Sequence, residues 1–177
     1  DRFLTALTVQ PLDVAAFARY GWMLGTPFPG GDPAASFHSE ASDFWHAHGF
    51  DAGAGGQPQV LWVAYRDTAR SVAALEQHRL TEQALIPLTG SVIQFVAISA
   101  ADGNPDLDTL AAFRVPPGQG LCMRQGCWHA TRVVGGQVLC AMLTRRSTTR
   151  DLVRHLAQGA PAVESAIVSI PIHTWSD

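Results

Sequence analysis

The stretch Glu76-Gln77-His78-Arg79-Leu80-Thr81-Glu82-Gln83, followed by ALIPLT and then Gly90, decides how this chain is read. Glu76 and His78 are two residues apart, so on a strand both side chains point to one face. A short connection leads to Gln83, which opens the next β-rich run and can face the same interior. Farther on, Gly118 is followed by five residues and then by Arg124-Gln125-Gly126-Cys127-Trp128-His129. A second histidine delivered from a distant strand completes a pocket lined by nitrogen and oxygen donors.

The texture around these segments is that of many short strands. VLWVAY, ALIPL, SVIQFVAIS and LAAFRV are β-rich runs separated by Thr89-Gly90, DGNPD and PPGQG. VVGGQVLCAML reads as a hairpin turning at Gly135-Gly136. SAIVSIPI near the end reads as one more strand. Two helices flank this region: Pro11 to Tyr20, closed by Gly21, with Leu12, Ala16 and Phe17 on one face, and RDLVRHLAQG, stopped by Gly159. Thr26 to Ala35 and Asp51 to Pro58 are loose passages. Between them SFHSEASDFWHAHGF concentrates histidines and aromatics in a loop-like segment. Such strand spacing predicts an all-β-dominated sandwich or barrel spanning about Val60 to Leu143, in a single domain over residues 1–177. Trp62, Trp128 and Phe95 are expected in its core, with Trp128 beside His129 as a pocket wall.

Composition narrows the function. The 177 residues are 47% hydrophobic and 15% charged, with Lys+Arg 12 against Asp+Glu 15 and a formal net charge of −3. A basic nucleic-acid surface is excluded on that balance. No apolar run is long enough to cross a membrane as a helix, and no basic start leads into one, so neither a membrane span nor a secretory leader is expected. Cys122, Cys127 and Cys140 are odd in number and lack CxxC spacing, which predicts buried reduced thiols and a cytoplasmic protein.

The two polar segments resemble the paired motifs of the cupin superfamily, G-x5-H-x-H-x4-E-x6-G and G-x5-P-x-G-x2-H-x3-N. Here the first reads Glu76-x-His78-x4-Gln83-x6-Gly90, and the second Gly118-x5-Arg124-x-Gly126-x2-His129-x3-Val133. The flanking sequence is more specific. LEQHRLTEQALIPLTG, NPDLDTLAAFRVPPGQG and the CWHA segment resemble the ureidoglycolate lyase family, also called ureidoglycolate hydrolase, most closely from about Leu75 to His129. Phe17, Tyr20 and Gly21 fit its F-x-x-Y-G. The chain departs from that pattern at Arg124 and Ala130, where the family has histidines, and at Phe44-Trp45-His46, where it tends to have Arg-Tyr-His.

The resemblance implies a cupin-type β-barrel (a double-stranded β-helix or jelly roll) with a few short flanking helices, assembled as a homodimer. It implies an enzyme of allantoin and purine degradation that splits ureidoglycolate, a small carboxylate, into glyoxylate and urea. His78, His129 and Gln83 are the expected catalytic residues. Arg66, Arg124, His46 and Trp128 are the expected substrate contacts, since a guanidinium matches a carboxylate in bidentate fashion. A divalent metal ion would be held by His78, Gln83 and His129, with Glu76 either a fourth ligand or a solvated strand residue. His46-x-His48 has a second ligand-like spacing in a loop-like setting, and Glu82 is expected on the surface. Two other readings stay open: another cupin enzyme acting on a small carboxylate, and a non-catalytic cupin ligand-binding protein.

Overall fold

The computed structural model describes residues 5–28 and 33–177. Strands β1 (Thr5–Pro11), β2 (Gly21–Leu24), β3 (Phe37–His38) and β4 (Asp43–Phe44) precede the β-rich region. There follow β5 (Pro58–Tyr65), β6 (Ser71–His78), β7 (Gln83–Pro87), β8 (Val92–Ala97), β9 (Ala111–Val115), β10 (Gly120–Met123), β11 (Trp128–Val133), β12 (Val138–Arg145) and β13 (Ser165–Ser176). Two α-helices, α1 (Val14–Phe17) and α2 (Arg146–Gln158), flank them. The β-barrel with short flanking helices is the architecture expected.

Six strands close into a barrel in the order β1-β13-β6-β11-β8-β9, and a five-stranded sheet, β2-β10-β7-β12-β5, is the second layer. The barrel therefore reaches beyond Val60–Leu143. It is closed by β1, which lies parallel to both β13 and β9. From β5 to β8 the chain changes sheet at every connection, as it does again from β9 to β13. This corrects the hairpin expected at Gly135-Gly136. β11 pairs with β6 and β8, whereas β12 pairs with β5 and β7. The glycine pair, with Gly136 at φ 69°, turns the chain from one sheet to the other.

Alternation along the strands separates two cores. Between the sheets lie Phe17, Leu85, Val92, Val96, Phe113, Leu121 and Met142 among others. Val72, Leu75, Ile93, Phe95, Trp128 and Trp175 form the second core, on the opposite side of β8 and β11. β8 is buried on both faces, so it reads as a continuous apolar run broken only by Gln94.

Three local expectations change. The first helix is a single turn, because β1 takes Pro11 and β2 begins at Gly21. Leu12, Phe17 and Tyr20 are buried there, while Ala16 is exposed. The second begins four residues earlier than expected, at Arg146, and ends as expected at Gly159, in left-handed conformation with its N–H returned to His155 O. Trp62 is 63% exposed on β5, an edge strand, instead of lying in the core. The expected loop Thr26 to Ala35 falls partly outside the described residues. All three cysteines are free and buried. Burial pushes the Cys127 thiol up to about 12 and that of Cys140 to about 11, which keeps them protonated.

Candidate active site

The two polar segments meet in space. Gly126, at φ 80°, donates its backbone N–H to His78 O at 2.8 Å, and this bond sews the second segment to the first. A positive φ at this turn favours glycine. Beyond the turn, β11 starts, and His129 comes into register with Glu76 of β6. Ala74, Glu76 and His78 share a strand parity, so all three line the same cavity. Gln83 enters from β7 in the facing sheet.

This cavity has a volume of about 570 Å³. Its polar end holds Glu76, His78, Gln83, His129 and Thr131, and its walls are mainly apolar, from Leu61, Val63, Met142, Leu152 and Ile167. The His78 and His129 rings lie 5.0 Å apart, inclined at 50°. His78 is 5% exposed. Its Nδ1 is 2.9 Å from Ser165 Oγ, and Ser165 is its register partner on β13. Its Nε2 lies 3.4 Å from Glu76 Oε1 but makes no hydrogen bond. Burial, then the nearby His129, depress the His78 pKa to about 3, with a smaller opposing pull from Gln83. His78 is thus neutral at pH 7.

His129 Nδ1 lies 3.1 Å from Cys127 O. A carbonyl only accepts, so Nδ1 carries the proton and the neutral ring offers its lone pair at Nε2. Tyr65, also in the lining, donates to Met142 Sδ at 3.5 Å, and burial pushes its hydroxyl up to about 12. It stays a neutral phenol. Thr131, two residues beyond His129, donates to Gln94 Oε1 at 2.7 Å.

The donor set fits a cation. The ligand atoms of Glu76, His78 and His129 all lie within 4.8 Å of one another. His78 Nε2 and Gln83 Oε1 are buried polar atoms with no hydrogen-bond partner. Unpaired groups of this kind are costly unless something meets them, and a divalent ion is one group that would satisfy a nitrogen lone pair and a carbonyl oxygen together.

The structure brings His78, Gln83, His129 and Glu76 together and leaves the other four candidates outside this cavity. Trp128 precedes His129 on the same strand, so its ring turns to the opposite face. It is buried in the second core, with Nε1 donating to Ser99 Oγ at 3.0 Å. Arg124 lies before β11, stacks over Trp22 at 4.4 Å and donates to Ala18 O. Arg66 lies just past the end of β5, exposed, with Nε donating to Gln137 Oε1 at 2.8 Å. His46 is exposed on the segment between β4 and β5. The cation that does line the cavity is Arg132, which sequence reading passed over. Ser165 was likewise invisible, because its partner is distant along the chain, whereas Thr131 could have been found from the two-residue period starting at His129. Glu82 is not a surface residue: its Oε1 lies 2.9 Å from His48 Nε2 and accepts from the Asp51 N–H.

Comparison with known proteins agrees with the motif reading. The family model described as "Ureidoglycolate lyase" matches residues 4–164. A ureidoglycolate lyase of Burkholderia mallei is 30% identical over 145 residues, covering 76% of this chain and 79% of that protein. One from Escherichia coli is 39% identical over 59 residues, 33% of this chain and 36% of that protein. Among solved structures, a dTDP sugar isomerase from Desulfovibrio desulfuricans G20 covers 75% of this chain and 78% of its own, with a TM-score of 0.42 and 15% identity. With the family model spanning nearly the whole sequence, this chain belongs to the ureidoglycolate lyase family.

Proposed function

We propose that this chain cleaves ureidoglycolate to glyoxylate and urea at the Glu76–His78–Gln83–His129 end of the cavity. The observation that carries the reading is the convergence of both motif segments on one cavity in a chain of this family. In the substrate one carbon bears a hydroxyl, a carboxylate and a urea nitrogen. Cleavage removes the hydroxyl proton, forms the aldehyde C=O and sends the C–N electron pair to nitrogen, which takes up a proton as urea leaves. His129 is the base, because its free lone pair is at Nε2 and its Nδ1–H is anchored on Cys127 O. The unpaired Gln83 carbonyl accepts from the urea N–H groups of the substrate, and neutral His78 turns its unpaired Nε2 to the same space. Arg132, the cation of the lining, is spent on Ser71 O, Thr131 O and Asp67, five residues along β6 from Glu76, so it braces the far wall of the cavity and does not reach the carboxylate.

In a metal-dependent form of the reaction His78, His129, Glu76 and the Gln83 carbonyl would hold a divalent ion, and the Nε2 lone pair of His129, spent on that ion, would then not serve as the base. Such an ion, when bound, acts as a Lewis acid that lowers the pKa of a hydroxyl. The same residues orient the substrate, and the apolar walls exclude water around it. We also propose that the chain works as a homodimer in the cytoplasm, as its family resemblance implies. No described helix is long and apolar enough to cross a membrane.

The deciding experiment is glyoxylate and urea release by the purified chain, with and without prior chelation. Stoichiometric release of both products is expected, and none above background from folded, metal-supplied protein would sink the reading. A second reading draws on one observation. At about 570 Å³ with mainly apolar walls, the cavity falls in the range of sites for larger ligands, about 300–1,000 Å³. This favours a bulkier hydroxy acid, which a substrate panel would reveal.

A further inference from the structure

We propose that the chain carries a second divalent-cation site, suited to a borderline-soft ion such as Zn²⁺, formed by His48, Glu82 and Cys122. The three come from separate parts of the chain. His48 lies between β4 and β5, Glu82 on the connection from β6 to β7, and Cys122 within β10. Their ligand atoms all lie within 4.8 Å of one another. His48 Nε2 is 2.9 Å from Glu82 Oε1, and Cys122 Sγ is 3.7 Å from the same oxygen. Tetrahedral zinc, bonded at about 2.3 Å to sulfur and about 2.0–2.1 Å to nitrogen and oxygen, spaces its ligand atoms about 3.3–3.6 Å apart. The observed separations straddle that spacing, so small side-chain shifts admit the ion.

The cluster is also enclosed and oriented. Cys122 is fully buried, and the side chains of His48 and Glu82 are 15% and 12% exposed. Trp22 stacks on the His48 ring at 4.0 Å and 21°, fixing its plane. Without metal, Glu82 Oε1 receives the N–H of His48, the backbone N–H of Asp51 and the thiol of Cys122. Two of those three donors are metal ligands once their protons leave. Binding Zn²⁺ would release the Cys122 proton to solvent and move the His48 proton from Nε2 to Nδ1, with water as fourth ligand. A hard ion has little use for a thiolate, which is why Zn²⁺ is named rather than Mg²⁺ or Ca²⁺. Glu82 directly precedes Gln83, so an ion here would pin the connection that delivers Gln83 to the central cavity.

The thiolate separates this site from the Glu76–His78–His129 group, which has none. Titrating the full chain with Co²⁺ should give a thiolate-to-cobalt charge-transfer band in the near ultraviolet, removed by Zn²⁺. The band should vanish in Cys122→Ser and in His48→Ala and persist in His129→Ala. Zinc content after dialysis should fall by one equivalent in the first two. Because Cys122 sits in a core strand, its variant is checked by melting temperature; His48, near the surface, supplies the test if that variant misfolds. A cobalt-loaded wild-type chain with no thiolate band, or a band that survives either substitution in folded protein, overturns the proposal.

Discussion

His129 stands in register with Glu76 across the rung that joins β11 to β6. That relationship places a carboxylate beside an imidazole whose other nitrogen is already committed to Cys127 O. The ring therefore cannot swing to another tautomer without breaking its anchor, and its basic nitrogen stays directed at the cavity. Ser165 does the same for His78 from the other side of β6. Both histidines are thus held by neighbours outside the cavity, which leaves their inner nitrogens for chemistry.

His129→Ala should lower turnover on ureidoglycolate by roughly 10²-fold or more, the usual cost of losing a positioned base. Its melting temperature should stay near wild type, because the ring is only partly buried. Trp128→Phe should behave in the opposite way, losing stability through the second core with little change in turnover per folded molecule. Steady-state kinetics and thermal melts on the two variants separate these outcomes. Equal losses of turnover in both would remove His129 from its special role.

The spacing of the polar residues was enough to indicate a barrel and to bring Glu76, His78, Gln83 and His129 to one place, because a two-residue period fixes which side chains share a face. Trp128 shows the limit of reading neighbours as neighbours, since adjacent strand residues diverge. The Gly135-Gly136 hairpin failed for a related reason. A tight glycine turn between two strands reads the same whether they pair or pass to different sheets, and only long-range registers decide. Arg66 and Arg124 were natural choices by charge and position in the motif, yet the residue that lines the cavity is Arg132, tied to Ser71 and Asp67 from another loop.

Arg132→Gln should lower the melting temperature and leave KM for ureidoglycolate within about twofold, because its guanidinium is spent on Ser71 O, Thr131 O and Asp67, away from Glu76 and His129. Arg132→Lys keeps the charge but loses the planar fork on Ser71 O, and should recover only part of the stability. Arg66→Ala should leave KM within about twofold, because its side chain is exposed and its Nε is spent on Gln137 Oε1. A roughly tenfold rise in KM for either arginine variant in folded protein would instead bring that guanidinium to the substrate carboxylate.

Chelation should remove activity if the donor set described above is loaded in the working enzyme. Metal analysis of Glu76→Gln and His78→Asn should then show loss of the ion relative to wild type, and activity should return to the wild type on adding back one divalent species. Full activity in protein shown by elemental analysis to be metal-free would leave only the direct action of the histidines.

The edge strand β5 presents Val60 and Trp62 outward, 66% and 63% exposed. An apolar strand edge of this kind invites pairing or cover. Light scattering at micromolar concentration should give the mass of a dimer, and Trp62→Glu should shift it toward monomer. A monomer for the wild type would count against the homodimer.

The pH dependence of stability should carry the signature of His78. Its folded pKa of about 3 lies below the ordinary histidine value of 6.5, so the unfolded chain binds the proton more readily. Between those two values the unfolded state holds more protons than the folded one, and unfolding free energy rises with pH. The contribution is therefore fully present above about pH 6.5 and is lost as pH falls toward 3. Each unit of displacement is worth about 1.4 kcal/mol, so the cumulative loss amounts to at most a few kcal/mol. Replacing the ring by a neutral group that never titrates, as in His78→Asn, should flatten this slope. Both variants can be measured by urea unfolding at pH 7, 5.5 and 4. The wild type should lose more stability than His78→Asn over that interval, even though the variant starts lower from its lost packing. Parallel pH profiles for the two proteins would mean that His78 titrates near its ordinary value and that the cavity is wetter around it than its burial indicates.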